Sequence, residues 1–436
     1  MQITLAYGET GLNVDLPDDR TTVIEPAFVP GLADERRALQ AALEAPQGTP
    51  PLRELVRADD TVVIVFPDMT RAMPNERVLP VVLDSLSHVA PERITLLNAT
   101  GLHRENTPAE LERMLGREIT ERYRVVNHRG YAREELVHLG RTSLGGEVWL
   151  NAEYVRASRR IVTGFIEPHF FAGFSGGPKM VCPGVAGSTT VLHAHNATMI
   201  GHPRATWGIT EGNPIHDEIR EAAAMAPPHF SLSVTLNKRH EITEVFAGEV
   251  FATHRAGCAY VKATAMRPVA APFDIVVSTN SGYPLDLNLY QAVKGMAAAA
   301  AIVRPGGAII MAAECRQGVP AGSHYQRLLA MESSPAALLR RIESPGFHQP
   351  EQWQVQVQAM IQAKARVYLK ASGVSEQEVR AAHLLPCADI GTTVAALLAE
   401  FGPAARIAVL PQGPQTIPYL EAGAVRVPAP TAEYAA

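Results

Sequence analysis

Short runs of β-branched and other apolar residues recur along this chain, and each is followed by a turn and a helical pattern. The runs are residues 61–66, 93–97, 160–163, 273–278 and 307–311. Continuous apolar runs are typical of strands buried on both faces, as in a parallel sheet covered by helices. Helices are predicted at 75–88, 108–115 and 188–199, the last with a serine at its capping position. The sequence therefore predicts an α/β fold with mainly parallel sheets flanked by helices.

The length of 436 residues predicts two domains, because single cores stop growing at roughly 250–300 residues. A proline-rich connector, AMRPVAAP at 265–272, separates a helical stretch from a new alternation of strands and helices. We expect an N-terminal catalytic and cofactor-anchoring domain at 1–268 and a C-terminal α/β domain at 273–402. The tail at 403–436 contains a further strand candidate at 406–410 and is compatible with either domain, including a return to the first.

Charge and cysteine content narrow the class of partner. The 39 basic and 44 acidic residues give a formal charge of −5, which lacks the electrostatic footprint of a nucleic-acid or anionic-membrane binder. A small molecule or a second copy is the expected partner. The four cysteines lie far apart without a CxxC pair, and no apolar run reaches the roughly 20 residues of a membrane span. Residues 1–5 already alternate like a strand, so no targeting segment is expected and a reducing cytoplasm is predicted.

The stretch GFIEPHFFAGFSGGPKMVCPG, residues 164–184, combines five glycines with three prolines, and its basic side chains are His169 and Lys179. A Walker phosphate loop needs glycine before its lysine and serine or threonine after it. Pro178 and Met180 occupy those positions, so the NTPase interpretation fails. A more general backbone cradle for an anion and a purely structural turn both stay open.

Ligands of open parallel sheets bind beyond the carboxyl ends of the strands. Four segments follow predicted strands in this way: residues 67–71, 98–104, 164–184 and 280–284. His103 and His169 lie in two of them. A lone histidine is more often structural than catalytic, but two neutral imidazoles on opposite sides of a small substrate would give each face a proton acceptor, as inversion of a stereocentre requires.

Two cations have the chemistry to bind a carboxylate. Arg71 offers a planar fork and Lys294 a point charge. Gln291 shares a helix face with Lys294 because the two are three residues apart. For each cation, an ordinary surface position stays open. Asp68 is placed either to orient Arg71 or to cap a turn.

His193 and His195 are two residues apart on the predicted helix, so their side chains point about 200° apart. This spacing argues against one metal held by both. At most one of them faces a site, and His193 is expected to be solvent-facing or capping.

Together these segments resemble the nickel-dependent lactate racemase family, whose members use the nickel-pincer nucleotide cofactor. The resemblance is carried by DMTR at 68–71, GLHR at 101–104, EPH at 167–169, GGPK at 176–179, His195 and YQAVK at 290–294. The order and spacing of these motifs cover most of the chain.

The resemblance implies a covalently bound cofactor, pyridinium-3,5-bisthiocarboxylic acid mononucleotide carrying Ni(II). Lys179 would form a thioamide with it, and His195 would be the protein ligand to nickel, completing the planar site that Ni(II) favours. Asp68, Gly176 and Gly177 would complete the cofactor site.

The resemblance also implies how a substrate is handled. His103 and His169 would be the two general bases, while Arg71 and Lys294 would hold the substrate carboxylate. Further substrate-binding residues would be Gln291, Tyr290 and Trp353. Hydride would pass to and from the cofactor through a 2-oxo acid, in an interdomain cleft that closes about a hinge at 268–272.

The expected activity is that of an isomerase, a racemase or epimerase of a 2-hydroxy acid. Lactate or another short aliphatic acid is favoured, because no extra basic residue can be nominated for a dicarboxylate. Malate, aromatic or sugar-acid substrates stay open, as do a non-catalytic cofactor or hydroxy-acid binding protein and a Schiff-base enzyme using Lys179 or Lys294. Transient contact with cofactor-biosynthesis proteins is expected, and binding to nucleic acid or membrane is not.

Overall fold

The computed structural model describes residues 1–421. The chain folds into two compact units. The central unit is Ala27–Ala265, and the split unit is Met1–Pro26 together with the chain from Met266 onward.

The strands follow one another along the chain in this order: β1 (Gln2–Leu5), β2 (Leu12–Asp15), β3 (Thr21–Val23), β4 (Val62–Pro67), β5 (Ile94–Ala99), β6 (Arg124–Asn127), β7 (Leu136–Arg141), β8 (Glu147–Asn151), β9 (Arg159–Phe165), β10 (Pro168–His169), β11 (Gly173–Phe174), β12 (Phe230–Leu236), β13 (Ile242–Gly248), β14 (Met266–Val269), β15 (Phe273–Thr279), β16 (Val303–Ala312), β17 (Arg366–Lys370), β18 (Leu385–Pro386), β19 (Ile407–Leu410) and β20 (Ile417–Leu420).

The helices are α1 (Glu35–Glu44), α2 (Leu52–Leu55), α3 (Asn75–Ser85), α4 (Pro108–Leu115), α5 (Arg117–Arg122), α6 (Ala152–Arg156), α7 (Ser188–Ala194), α8 (Ala197–Ile200), α9 (Pro214–Ala224), α10 (Val250–Ala265), α11 (Leu289–Ala300), α12 (His324–Leu329), α13 (Pro335–Ile342), α14 (Gln352–Lys364), α15 (Glu376–Ala381) and α16 (Ile390–Phe401). Among the helices of residues 1–421, none combines the length and apolarity needed to cross a membrane.

The central unit is built on a six-stranded sheet in the order β13-β12-β9-β4-β5-β6. Its neighbours pair in parallel except β12 with β13, which are antiparallel. All six residues of β4 are buried, as the continuous apolar run predicts for a strand covered on both faces. Helix α3 packs Val78, Leu79 and Val82 into the same core. The carboxyl ends of β4, β5 and β9 therefore lie at one edge of this sheet.

The split unit contains a second six-stranded sheet, in the order β18-β17-β16-β15-β19-β3, and all its neighbours pair in parallel. Ile275, Val277 and Ile310 form the centre of its core, and α16 covers it with Val394 and Leu397. The prediction of an α/β fold with mainly parallel sheets in two domains is confirmed.

The two units divide the chain at different places from the predicted domains of 1–268 and 273–402. Residues 1–26 belong to the split unit because β3 pairs with β19 and Leu5 enters the second core. The predicted connector and hinge contains a strand, β14, whose Pro268 stands opposite Tyr419 in β20. Both departures arise from pairing between segments far apart in the sequence, which a local pattern does not reveal.

The described part of the predicted tail at 403–436 belongs to the split unit and not to the first domain. Strand β19 pairs with β15 in the second sheet, and β20 pairs with β14. Residues 422–436 lie outside the described residues.

The helix predicted at 188–199 is interrupted. Helix α7 ends at Ala194, and α8 starts after Asn196, whose side chain accepts a hydrogen bond from the Met199 amide at 2.9 Å. An asparagine in extended geometry is a favourable start for a new helix, so the two helices are separate. The capping position of α7 is Gly187 rather than the predicted Ser188.

Candidate active site

The carboxyl end of β4 places Asp68 beside His103, which lies in the loop after β5. Asp68 Oδ2 is 2.7 Å from His103 Nδ1. A carboxylate can only accept, so Nδ1–H is the donor in this pair and the neutral ring keeps its lone pair on Nε2. The His103 side chain is 46% exposed, whereas that of Asp68 is almost fully buried. Asp68 therefore fixes the His103 ring, and Nε2 of that ring is a proton acceptor.

The pKa of Asp68 reflects competing effects. Burial raises it, but the hydrogen bond from His103, the charges of His103 and Arg71 and the hydrogen bond from Thr70 outweigh burial and lower it. Thr70 Oγ1 donates to Asp68 Oδ1 at 2.7 Å. Asp68 is thus an ionised carboxylate at neutral pH and holds the tautomer of His103.

A cluster of asparagines holds the loop that carries His103. The Asn98 side-chain amide, at the end of β5, donates to Asn106 Oδ1 at 2.8 Å and to Asn127 Oδ1 at 2.7 Å. Asn127 in turn donates to the Asn106 carbonyl at 2.9 Å. The sequence analysis missed this cluster, although Asn98, the first residue after the apolar run at 93–97, was a signal for it. Because Asn98 bonds to both other side chains and Asn127 bonds to the Asn106 backbone, the loop is positioned from both of its ends.

Arg71 follows Asp68 in a turn, with its amide donating to the Asp68 carbonyl at 3.1 Å. Its guanidinium lies 4.0 Å from Glu167 Oε1, the outer limit of an ion pair, and both side chains are partly exposed. An exposed ion pair at this distance is weak. Arg104, in contrast, forms a bidentate pair with Glu110 at 2.6 and 2.8 Å, so Arg71 is the better placed of the two to take a ligand.

His169 lies in a small ribbon, in which β10 pairs antiparallel with β11. Its ring stacks on Phe170 at 5.0 Å between centroids and meets the edge of Phe171 at 4.5 Å. The Ala172 amide donates to His169 Nδ1 at 3.3 Å. In the neutral ring Nδ1 is then the acceptor, so Nε2 carries the hydrogen. His169 is buried, with 6% of its surface exposed.

The two histidines are therefore held in opposite tautomers. His103 has its lone pair on Nε2, because Asp68 takes Nδ1–H. His169 has its hydrogen on Nε2, because Nδ1 accepts from Ala172. His103 therefore has the lone pair of a proton acceptor on Nε2, whereas His169 has a hydrogen on Nε2.

The glycines of the 164–184 loop are required by the protein's own atoms. Gly176 and Gly177 have φ of +74° and +50°, a region that L side chains avoid. A Cβ on Gly176 would lie 2.8 Å from the Phe165 carbonyl oxygen, and one on Gly177 would lie 2.7 Å from the His254 ring. Close approach of a cofactor is not needed to explain these two glycines.

Replacing Gly177 by alanine should destabilise the central unit by about 2–4 kcal/mol, because left-handed strain and the contact with His254 add. Gly145→Ala is the matched control. Gly145 also has a positive φ, of +87°, but a Cβ there would meet nothing within 4 Å, so only the strain of about 1–2 kcal/mol is expected. Urea unfolding monitored by circular dichroism measures both. Equal destabilisation by the two variants would contradict the steric role of His254.

Lys179 lies in a 3₁₀ turn, Gly177–Met180, and is 9% exposed. Its Nζ is 5.6 Å from the centroid of the Phe171 ring. The His195 ring meets the same phenyl group edge-on at 5.1 Å. Phe171, which the sequence analysis did not single out, thus brings the lysine and the histidine to one place.

His195 is in the state that a metal ligand needs. Its Nδ1–H donates to the Val191 carbonyl at 2.7 Å, which leaves the lone pair on Nε2. Burial, with the nearby charge of Lys179, lowers the pKa of His195 to about 4 despite that hydrogen bond. The ring is therefore neutral at pH 7. His193 differs from the expected solvent-facing residue, because its side chain is partly buried with Nε2 3.6 Å from Glu218 Oε1.

No group of three or more histidine, cysteine, aspartate or glutamate side chains within residues 1–421 is arranged to hold a metal ion. The four cysteines are buried free thiols: Cys182, Cys258, Cys315 and Cys387.

In the split unit, helix α11 carries three of the predicted residues. Asn288 caps it and accepts from the Gln291 amide at 3.1 Å. Gln291 and Lys294, three residues apart, are both half-buried. The Trp353 indole, on α14, donates to the Tyr290 hydroxyl at 3.2 Å. The structure therefore brings Tyr290 and Trp353 into contact.

The strand-end loops of the parallel sheet carry a histidine–carboxylate pair, a second buried histidine, and a buried lysine beside a neutral histidine. Such a set of side chains on an α/β fold is typical of an enzyme. The sequence matches the lactate racemase N-terminal domain over residues 7–208 and the lactate racemase C-terminal domain over 269–417. The chain belongs to the lactate racemase family.

Two relatives extend over nearly the whole chain. The lactate racemase of Thermoanaerobacterium thermosaccharolyticum is 34% identical over 422 residues, covering 95% of this chain and 98% of the relative. That of Lactiplantibacillus plantarum is 34% identical over 416 residues, covering 94% and 98%.

Solved structures agree with the fold. The lactate racemase apoprotein of Thermoanaerobacterium thermosaccharolyticum superposes with a TM-score of 0.89 over 96% of this chain and all of that one, at 34% identity. A protein from Thermotoga maritima superposes with a TM-score of 0.67 over 88% of this chain and 97% of that one. At 19% identity, the second likeness concerns the fold alone.

Proposed function

We propose that this protein is an isomerase that racemises or epimerises a 2-hydroxy acid. The observation that carries the proposal is the pair of histidines in opposite tautomers, His103 held by Asp68 and His169 held by Ala172. Inversion of an alcohol carbon requires one proton-handling group for each face of the substrate. Membership of the lactate racemase family supports the same reaction.

His103 Nε2 takes the hydroxyl proton of the substrate, and the resulting imidazolium is stabilised by the Asp68 carboxylate. His169 Nε2–H donates a hydrogen bond to the oxygen of the substrate from the other side. For His169 to act as the base in turn, its proton must move from Nε2 to Nδ1. That change breaks the 3.3 Å bond from Ala172, because Nδ1–H and the Ala172 amide are both donors. Leaving a buried donor without a partner costs about 1–3 kcal/mol.

The residues around Phe171 fit the nickel-pincer nucleotide of this family. Lys179 would hold it covalently and the neutral His195 would ligate its nickel through Nε2. Asp68, Gly176 and Gly177 would lie beside it. When bound, the cofactor supplies the acceptor and donor of hydride at the α-carbon of the substrate.

Arg71 is proposed to bind the substrate carboxylate, since its contact with Glu167 at 4.0 Å is weak enough to exchange for a ligand. A role in substrate binding is proposed for Lys294 and Gln291 on α11 and for the Tyr290–Trp353 pair. The aromatic pair is held by a hydrogen bond, so its geometry is set before a substrate binds.

Lactate or another short aliphatic 2-hydroxy acid is our first choice of substrate. Both relatives carry the name lactate racemase, but 34% identity leaves the acid open. Malate, aromatic and sugar acids are the alternatives. The buried free thiols fit a reducing compartment, so we place the enzyme in the cytoplasm, where it would contact the cofactor-biosynthesis proteins transiently.

The central experiment assays a panel of D- and L-2-hydroxy acids for inversion by chiral chromatography. The protein is coexpressed with the cofactor-biosynthesis enzymes and nickel, and its intact mass is measured in parallel. We expect a sulfur-containing adduct on Lys179, one equivalent of nickel, and inversion of a short aliphatic acid. Lys179→Arg, which keeps the charge, is the control and should carry no adduct.

Two outcomes would count against the proposal. Absence of an adduct in the coexpressed protein removes the covalent cofactor, and a loaded protein that inverts no acid of the panel is a binding protein instead. A borohydride-trapped adduct of a 2-oxo acid on Lys179 or Lys294, without nickel, would instead favour the Schiff-base chemistry.

Asp68→Asn should lower kcat by about 10²-fold in the loaded enzyme, because a neutral amide neither fixes the His103 tautomer nor stabilises its imidazolium. KM should change much less, since Asp68 is buried behind the ring. Thr70→Val is the matched control, because it removes the 2.7 Å hydrogen bond to Asp68 but keeps the carboxylate. A loss of kcat in Thr70→Val as large as that in Asp68→Asn would contradict this role.

A further inference from the structure

A cavity of about 500 Å³ lies in the central unit. It is bounded by β11, the loop at residues 204–211, α9 and α10. None of the histidines, cations or lysines of the proposed active site lines it. Its volume falls within the range of about 300–1,000 Å³ that is typical of small-molecule sites.

The cavity wall carries a strong excess of positive charge in a chain whose net charge is −5. One acidic side chain, Glu211, faces four basic ones: Arg204, Arg220, Arg255 and Lys262. Among residues 1–421, no carboxylate forms an ion pair with Arg220, Arg255 or Lys262, and Asp217 acts on Arg220 only at longer range. Arg255 and Lys262 are seven residues apart on α10 and share one of its faces. Such uncompensated cations favour an anionic ligand.

A buried histidine forms an uncharged part of the cavity wall. His216, on α9, lines the cavity and is 4% exposed. Its ring donates a hydrogen bond to the Ala172 carbonyl, and burial lowers the pKa of His216 to about 3. The ring is therefore neutral at pH 7, so the positive charge of the wall comes from the arginines and the lysine.

The cavity lies directly behind the loop that carries Lys179. His254, on α10, lines the cavity, and its Nε2–H donates to the Ser175 carbonyl at 2.9 Å. Its ring also fills the space beside Gly177. Phe174 of β11 forms part of the same wall. A ligand in the cavity would therefore stiffen the segment Gly173–Met180.

We propose that this cavity binds a phosphate ester of the sugar phosphate type. A phosphate group carries close to two negative charges near neutral pH and accepts paired hydrogen bonds from arginine forks such as Arg220 and Arg255. This site is separate from the proposed active site, and its test does not depend on whether the protein is a racemase.

The test uses the full-length protein and ribose 5-phosphate, with ribose and citrate as comparison ligands, in isothermal titration calorimetry. Saturable binding of ribose 5-phosphate is expected, with none for ribose and weaker binding for citrate. The double variant Arg220→Gln/Arg255→Gln should weaken binding by at least about tenfold, because two charged hydrogen bonds are lost. Arg57→Gln/Arg113→Gln removes two exposed charges elsewhere on the central unit and should bind like the unchanged protein.

The position of the bound ligand is measured by hydrogen exchange. Backbone amides of Gly173–Met180 and of α10 should exchange more slowly with ribose 5-phosphate than with ribose. The proposal would be overturned if ribose 5-phosphate does not bind or if ribose binds equally well. It would also be overturned by unchanged affinity in the Arg220 and Arg255 double variant, or by unaltered exchange in these two segments. Tighter binding of citrate than of ribose 5-phosphate would overturn the assignment to a phosphate ester.

Discussion

Replacing His169 by alanine is expected to lower kcat/KM for inversion by about 10²- to 10⁴-fold, to the detection limit of a chiral assay, while the cofactor and nickel stay bound. His103→Ala should do the same. In the proposed scheme each ring handles the proton on one side of the substrate, so neither can replace the other. The measurement combines chiral chromatography with intact mass and nickel content of the same preparations.

His202→Ala is the control for the histidine pair, because His202 is exposed and lies outside the proposed site. It should retain the activity of the unchanged enzyme. Full activity in either His103→Ala or His169→Ala would rule out the two-histidine scheme. Loss of activity accompanied by loss of nickel would mean that the residue supports the cofactor instead.

The second large effect is expected at the metal. His195→Ala should contain nickel at a small fraction of one equivalent after coexpression with the cofactor-biosynthesis enzymes, since it removes the neutral Nε2 ligand. The adduct on Lys179 should remain, because the lysine does not need the imidazole for its covalent bond. Inversion should fall to background.

Nickel is measured by plasma mass spectrometry, and the adduct by intact mass. His195→Asn offers a second variant that retains a polar side chain and should lose nickel equally. A normal nickel content in both variants would refute His195 as the ligand, whatever happens to activity.

The sequence predicts the central strands of both sheets well because each of them contains a local apolar run. Strands β4 and β15 lie within a residue or two of the predicted positions. The rule that parallel strands present ligands at their carboxyl ends also led to the loops of His103 and His169. Residues 1–26 were assigned to the other domain, because the pairing of β3 with β19 joins opposite ends of the chain.

Other parts of the site could not be predicted from spacing. Phe171 looks like an ordinary core residue in the sequence, yet it contacts both Lys179 and His195. The glycines at 176 and 177 suggested an approach to a ligand, while the structure gives them a steric reason within the protein. The tautomers of His103 and His169 follow from hydrogen bonds to Asp68 and Ala172, and these are visible only in three dimensions.

The unequal hydrogen bonding of the two histidines has a consequence for kinetics. Mirror-image substrates have equal free energies in solution, so their equilibrium constant is 1 and a racemase must have the same kcat/KM in both directions. Under the proposed scheme, the enantiomer that suits the tautomers already present, with His103 accepting and His169 donating, binds without a proton shift. The difference between the two resting rings must therefore change KM and kcat by the same factor. That enantiomer should show the lower KM and, in the same proportion, the lower kcat.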